Sequence, residues 1–251
     1  MNKRIVVSGS FVVDLTARTP RLPTPGETVL GKSFAMGPGG KGSNQAVAAH
    51  RAGGDVTLVT KVGRDVFGTV AMDFYHKEGM DTAYILEDPD GESGCALITV
   101  DETTAQNEIV VVSGACGRIT PQDVERVRPL IQSAGLLLVQ LEVNFDALFA
   151  VICIAHEAGV PVVLNPAPAA KLPPEIVRMV TIMTPNETEA EFLTGVRITG
   201  PEDACRAAEI LMEQGVEQVD ITLGARGAFA MNRERWELLA PLEVEAVDTT
   251  G

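Results

Sequence analysis

The residues best suited to chemistry form a glycine-rich stretch, Gly37-Pro38-Gly39-Gly40-Lys41-Gly42, ahead of Ser43-Asn44-Gln45 and an apolar, helix-periodic run. Glycines before a helix let backbone N–H groups approach a ligand closely, and a helix N-terminus favours anions. The spacing satisfies G-x-G-x-x-G, the dinucleotide fingerprint, but that motif belongs directly after the first strand, with an acidic residue closing the second. Here the first apolar strand ends near Gly9, and the second, VTLVTK, ends in Lys61. A Walker A loop needs Ser or Thr directly after Gly-Lys, whereas Gly42 follows Lys41. Both nucleotide-loop readings are therefore rejected. Lys41 and Asn44, three apart, share one face of the first helical turn and suit hydroxyls and anions. A tight turn with a solvated lysine would use the same residues, so the loop alone leaves both uses open.

Other polar residues stand where apolar strands end, the edge at which parallel sheets bind ligands. Asp14 follows the first strand, Glu142 follows LLLVQL and Asn165 follows VPVVL. Asn186 and Glu189 follow VTIMTP, Thr222 and Gly224 close VDITLG, and Asp248 and Thr250 lie near the end of the chain. Each has a plain structural use as well. Asn186-Glu-Thr-Glu189 is a capping box, Asp14 could cap a turn, and Glu142 could solvate a loop. Gathered at one sheet edge, they point to a polyhydroxy substrate together with a phosphorylated one.

These residues need a frame. From Ile5 to Gly224, apolar strands alternate with helical patterns that end in glycine (at 53–54, 79 and 195), which predicts an α/β domain over residues 1–251. Its sheet should be doubly wound and mainly parallel, with helices on both faces. Residues 13–36 and 93–113 lack room for a crossover helix, and they predict a small, partly separate β-sheet; such a sheet serves as a lid or a subunit contact, and two surface hairpins without function would use the same residues. The net charge of -14 argues against non-specific binding to nucleic acid or anionic membrane. No apolar run approaches a membrane span, and the N-terminus lacks a signal-peptide pattern, so a cytoplasmic protein is expected. Cys95, Cys116, Cys153 and Cys205 are far apart and read as reduced, mostly buried thiols; with three scattered histidines they do not suggest zinc.

The chain resembles the ribokinase group of the PfkB carbohydrate kinases, with motifs in the family's order along nearly the whole sequence. They are PTPGET at Pro23, GGKGSNQAVAA at Gly39, QLE at Gln140, LNPAPA at Leu164, TPNETEAEFLTG at Thr184, ITLGARG at Ile221 and AVDTTG at Ala246. The resemblance implies a ribokinase-like fold with a β-lid, and transfer of the γ-phosphate of ATP to a pentose, D-ribose giving D-ribose 5-phosphate. Deoxyribokinase or another sugar or nucleoside kinase of the family is the alternative. It implies that Asp14, Gly40, Lys41, Asn44 and Glu142 hold the sugar. Asn186 and Glu189 would organise ATP and Mg²⁺, Glu189 through water, with Thr222 and Gly224 along the nucleotide. Asp248 and Thr250 would belong to a K⁺ loop, and the lid would join two subunits into a homodimer.

There are two departures from the family pattern. Val12 stands two places before Asp14, where some ribokinases have an Asn that contacts a sugar hydroxyl. This would suit 2-deoxyribose, although other members carry an apolar residue there, and the motif agreement keeps ribose first. The sequence also stops at Gly251, the start of the segment that builds the family's anion hole, so the general-base Asp falls beyond it. The 251-residue polypeptide is accordingly expected to lack measurable kinase activity. An Ala-Gly-Asp continuation would restore the kinase, and a stop codon would favour a non-catalytic sugar-binding protein on a kinase fold.

Overall fold

In the computed structural model, which describes residues 4–104 and 106–241, the first half runs β1 (Ile5–Ser8), β2 (Val12–Thr19), β3 (Ser33–Gly39), α1 (Lys41–Arg51), β4 (Val56–Gly63), α2 (Val66–Glu78), β5 (Ile85–Asp88), β6 (Gly94–Asp101) and β7 (Asn107–Val112). The second half runs α3 (Pro121–Gln132), β8 (Leu136–Gln140), α4 (Phe145–Glu157), β9 (Val162–Asn165), α5 (Pro174–Val177), β10 (Ile182–Met183), α6 (Glu187–Thr194), α7 (Pro201–Glu213), β11 (Gln218–Thr222), β12 (Ala228–Asn232) and β13 (Trp236–Leu239). Helix ends follow local chemistry. The Asp65 carboxylate accepts from Gly68 N–H at 2.7 Å to start α2, and Gly79 in the left-handed conformation ends it. Thr120 and Asp123 form a capping box on α3, with Pro121 at its first position.

The main sheet has the order β13-β12-β11-β10-β9-β8-β1-β4-β5. From β5 to β11 every pairing is parallel. The chain leaves β1 toward β4 and β5 and later returns to its other side at β8, so the strand order reverses between β1 and β8. That crevice is where open α/β sheets bind ligands. Val6 and Val7 point to opposite faces and enter different apolar clusters, one beneath α3, α4 and α7 and one beneath α1 and α2. The doubly wound arrangement is thus as expected. Two features lay outside the sequence reading. The edge strand β5 is only four residues long, and β12 and β13 extend the sheet in antiparallel fashion. A single hairpin on one edge leaves the apolar-run pattern of the parallel strands unchanged, so periodicity does not reveal it.

The second sheet has the order β3-β2-β6-β7. Its strands lie within 12–39 and 94–112, close to the two predicted insertions, and PTPGET is the turn joining β2 to β3, closed by Glu27 N–H to Thr24 O at 2.9 Å. Only Cys116 among the four thiols is fully buried; Cys95, Cys153 and Cys205 are partly exposed, because the lid and the outer helices that carry them are covered on one side only. No helix of the described residues is long and apolar enough to cross a membrane.

Candidate functional site

The site grows from the end of β1. Beyond Ser8 the chain turns through Gly9 and Ser10 into the lid strand β2. Ser10 Oγ donates to Glu142 Oε2 at 2.5 Å, and Lys41 N–H donates to the same oxygen at 2.9 Å. The Lys41 ammonium lies 3.9 Å from Glu142 Oε1, and Ser43 N–H donates to Ser10 O at 2.9 Å. Glu142, 17 % exposed, therefore ties the end of β8 to the N-terminus of α1, where a negative charge is favoured. It is an anchor, not a solvating loop residue.

Asp14 reaches this place from the other sheet. The sequence reading set it at the edge of the main sheet, but it is the third residue of β2, paired with Gly37 and Ala96 inside the lid. The lid strand starts so soon after β1 that no loop remains to hold it. Its carboxyl is half-buried and is held above the ordinary aspartate range, first by burial and then by the charge of Glu142. No described group donates a hydrogen bond to it, which leaves an acceptor-only carboxylate at the crevice. Gly39 lies directly beneath, and a Cβ there would collide with both carboxylate oxygens of Asp14. Gly40, at φ 92°, caps α1 without a side chain, and Asn44 is exposed on the first turn beside Lys41.

A second group lies at the ends of β10 and β11. The predicted capping box is present: Asn186 Oδ1 accepts from Glu189 N–H at 2.8 Å, and Glu189 Oε2 accepts from Asn186 N–H at 2.9 Å. Burial raises the Glu189 pKa, while the cap hydrogen bond and the Lys41 charge oppose that rise. Asn186 forms a parallel bridge with Thr222, whose N–H donates to Pro185 O at 3.0 Å, and Gly224 opens a short 3-10 turn at φ 55°. Asp248, Thr250 and Gly251 lie outside the described residues.

The sequence reading missed Ser10, whose hydroxyl completes the Glu142 anchor, and Gln45 and Gln140, which hydrogen-bond to each other. Both glutamines sit inside quoted motifs, so the signal was present without a role. The assembled crevice offers carboxylate acceptors for hydroxyls, an ammonium and a helix N-terminus for an anion, and a capped acid beside them. The described residues contain no cluster of three or more His, Cys, Asp or Glu that could enclose a metal ion. Glu189 spends an oxygen on each of two Asn186 donors. That arrangement fits an outer partner of a hydrated Mg²⁺, which keeps several waters and uses few carboxylates.

Residues 2–251 match the family described as pfkB family carbohydrate kinases. The chain is 38 % identical over 251 residues to a ribokinase of Haemophilus influenzae, covering all of this chain and 82 % of that one. It is 35 % identical to a deoxyribokinase of Salmonella typhi, covering 98 % of this chain and 81 % of that one. A structure of Arabidopsis thaliana ribokinase complexed with ribose and ATP superposes with a TM-score of 0.89 at 29 % identity, covering all of this chain and 82 % of that one.

Proposed function

The chain belongs to the pfkB family of carbohydrate kinases, and we propose that it transfers the γ-phosphate of ATP to a pentose, with D-ribose as the preferred acceptor and D-ribose 5-phosphate as product. The observation that carries this reading is the hydrogen-bonded link from Gln45 of α1, next to Asn44, through Asn165 to the Thr184 carbonyl, which joins the first group of residues to the segment that carries the second. Asp14, Lys41 and Glu142 belong to the first group, with the Lys41 ammonium 3.9 Å from Glu142, and Asn186 and Glu189 belong to the second. Asp14 accepts from sugar hydroxyls and sets their register. Gly40 lets the backbone come close, and Lys41 and Asn44 donate to the sugar. Glu142 holds this wall in place and accepts where its remaining lone pairs face the sugar. Asn186, Thr222 and Gly224 line the nucleotide. Glu189 would hold a hydrated Mg²⁺ through water, and that ion would supply charge neutralisation at the phosphates. Asp248 and Thr250 are the proposed K⁺ residues.

Val12 gives no reason to prefer 2-deoxyribose. It is 4 % exposed and packs with Ala96, Ile98 and Val100 in the lid's own apolar cluster. Packing accounts for its apolar character without a missing sugar hydroxyl. Coupled ADP-release turnover by the protein in its natural length tests the assignment, using ribose, 2-deoxyribose, fructose, adenosine and fructose 6-phosphate. Ribose is expected to give the highest kcat/KM. Failure of both pentoses while another acceptor turns over would defeat the assignment.

A homodimer formed through the lid is part of this reading. The pairing register places Phe34, Met36, Leu97, Val110 and Val112 on the face of the second sheet opposite Asp14. These are exposed apolar residues, Phe34 at 67 % and Leu97 at 50 %. A contiguous apolar sheet face of this kind suits a two-fold contact with a second copy. Sedimentation should show a dimer for the unaltered protein and a monomer for Leu97→Glu, with the melting temperature little changed. A monomeric unaltered protein at tens of micromolar would exclude the lid contact.

A further inference from the structure

Three side-chain amides form a chain across the crevice. Gln140, the last residue of β8, donates from Nε2 to Gln45 Oε1 at 2.6 Å. Gln45, on α1 next to Asn44, donates from Nε2 to Asn165 Oδ1 at 3.2 Å. Asn165, which ends β9 in register with Gln140, donates from Nδ2 to the backbone carbonyl of Thr184 at 2.8 Å. Thr184 begins the Thr184-Pro185-Asn186 segment that leads into the Asn186–Glu189 cap.

The direction of this chain follows from its chemistry. The Thr184 carbonyl can only accept, so the NH₂ of Asn165 must face it. Asn165 Oδ1 then faces Gln45 and requires a donor, which turns the oxygen of Gln45 toward Gln140. The last acceptor, Gln140 Oε1, is left without a partner among the described residues, on a side chain 0 % exposed. It rests against Gly9, where a Cβ would collide with it. An orphaned buried acceptor is costly. Reversing the amides would instead set Asn165 Oδ1 against the Thr184 carbonyl, acceptor against acceptor. The chain therefore has one polarity, and it ends on the nucleotide-side segment.

We propose that Gln45 and Asn165 are positioning residues that couple the sugar-side helix α1 to the nucleotide-side segment Thr184–Asn186, so that pentose binding sets the register in which Asn186 and Glu189 meet ATP. Neither residue needs to touch a substrate. This rests on the kinase reading above. Coupling between the two sites is reciprocal, so ATP tightens pentose binding by the same factor.

Calorimetry on the protein in its natural length tests this, measuring Kd for a non-hydrolysable ATP analogue with and without saturating D-ribose. In the unaltered protein ribose is expected to tighten the analogue about fivefold or more. Gln45→Met and Asn165→Leu should each reduce that factor below about twofold, while Kd for ribose alone stays within about twofold, and the double variant should lose no more than either single one. A residue needed only for local packing would weaken each ligand separately and leave their ratio intact. In the unaltered protein, ribose alone should also shift the backbone amide resonances of Asn186 and Glu189, a readout that survives if a variant does not fold. Retained coupling in both variants, absent coupling in the unaltered protein, or unmoved resonances on ribose binding would each overturn the relay. Absence of binding by both ribose and the analogue would instead overturn the kinase reading.

Discussion

In the protein of natural length, Asp14→Asn is expected to lower kcat/KM for the pentose at least about 100-fold and, at the same time, to raise the melting temperature at pH 7. Hydrogen bonds to a charged group are worth about 1.5–3 kcal/mol each. Losing the equivalent of one or two such acceptor contacts gives a loss of that order, since about 2.7 kcal/mol is a factor of 100. The amide also presents a donor where the carboxylate only accepts. The stability effect has the opposite sign. Burial and the neighbouring Glu142 hold the Asp14 pKa above 3.8 in the folded chain. A carboxyl raised in this way binds more protons folded than unfolded, so its ionised form weakens the fold above that pKa, and the penalty is relieved as pH falls through it. Asparagine carries no charge and removes the penalty at neutral pH. By the same reasoning, kcat/KM of the unaltered enzyme should fall on the acid limb at a pH above the ordinary aspartate value. Steady-state kinetics and thermal melts on one preparation check both effects. A variant that melts lower at pH 7, or keeps kcat/KM within about threefold, would contradict the assignment of Asp14.

Gly42→Ala should destabilise the fold by about 3 kcal/mol, the upper end for overpacking. A Cβ at Gly42 would lie 2.6 Å from the Gly9 carbonyl carbon and from Ser10 N. Both are backbone atoms, so no side chain can swing aside. α1 would have to retreat from the end of β1. That would stretch the Ser43 N–H bond to Ser10 O (2.9 Å) and the Lys41 N–H bond to Glu142 (2.9 Å). The KM for the pentose should therefore rise along with the loss of stability. Urea unfolding measures the first and initial rates the second. A stability change below about 1 kcal/mol would show that the helix can shift at little cost.

Much of the frame was legible from local pattern. The βα alternation, the two helix-free insertions and the Asn186–Glu189 capping box each depend on residues a few positions apart, and short-range periodicity carries that information. The edge hairpin of β12 and β13 was not legible, because alternation alone does not say on which side of a sheet a strand is added. The sequence named candidate residues for the site but not their arrangement. Asp14 was expected on the main sheet and lies in the lid. Glu142 was weighed as a solvated acid and instead anchors α1 through Lys41, 101 positions away in the chain.

The sequence by itself determined that this is a parallel α/β protein with a lid, that the loop at Gly37–Gly42 serves neither of the nucleotide motifs it imitates, and that the polar residues cluster at strand ends. The tertiary structure decided which of them meet. The reversal of strand order between β1 and β8 sets Ser10, Lys41 and Glu142 against one another and carries Gln45 between Gln140 and Asn165. Packing against Ala96, Ile98 and Val100 accounts for Val12, which the sequence could read only as a missing hydrogen bond. Periodicity is a property of neighbours along the chain, whereas these contacts depend on which strands lie side by side and on how much room a missing Cβ leaves between them.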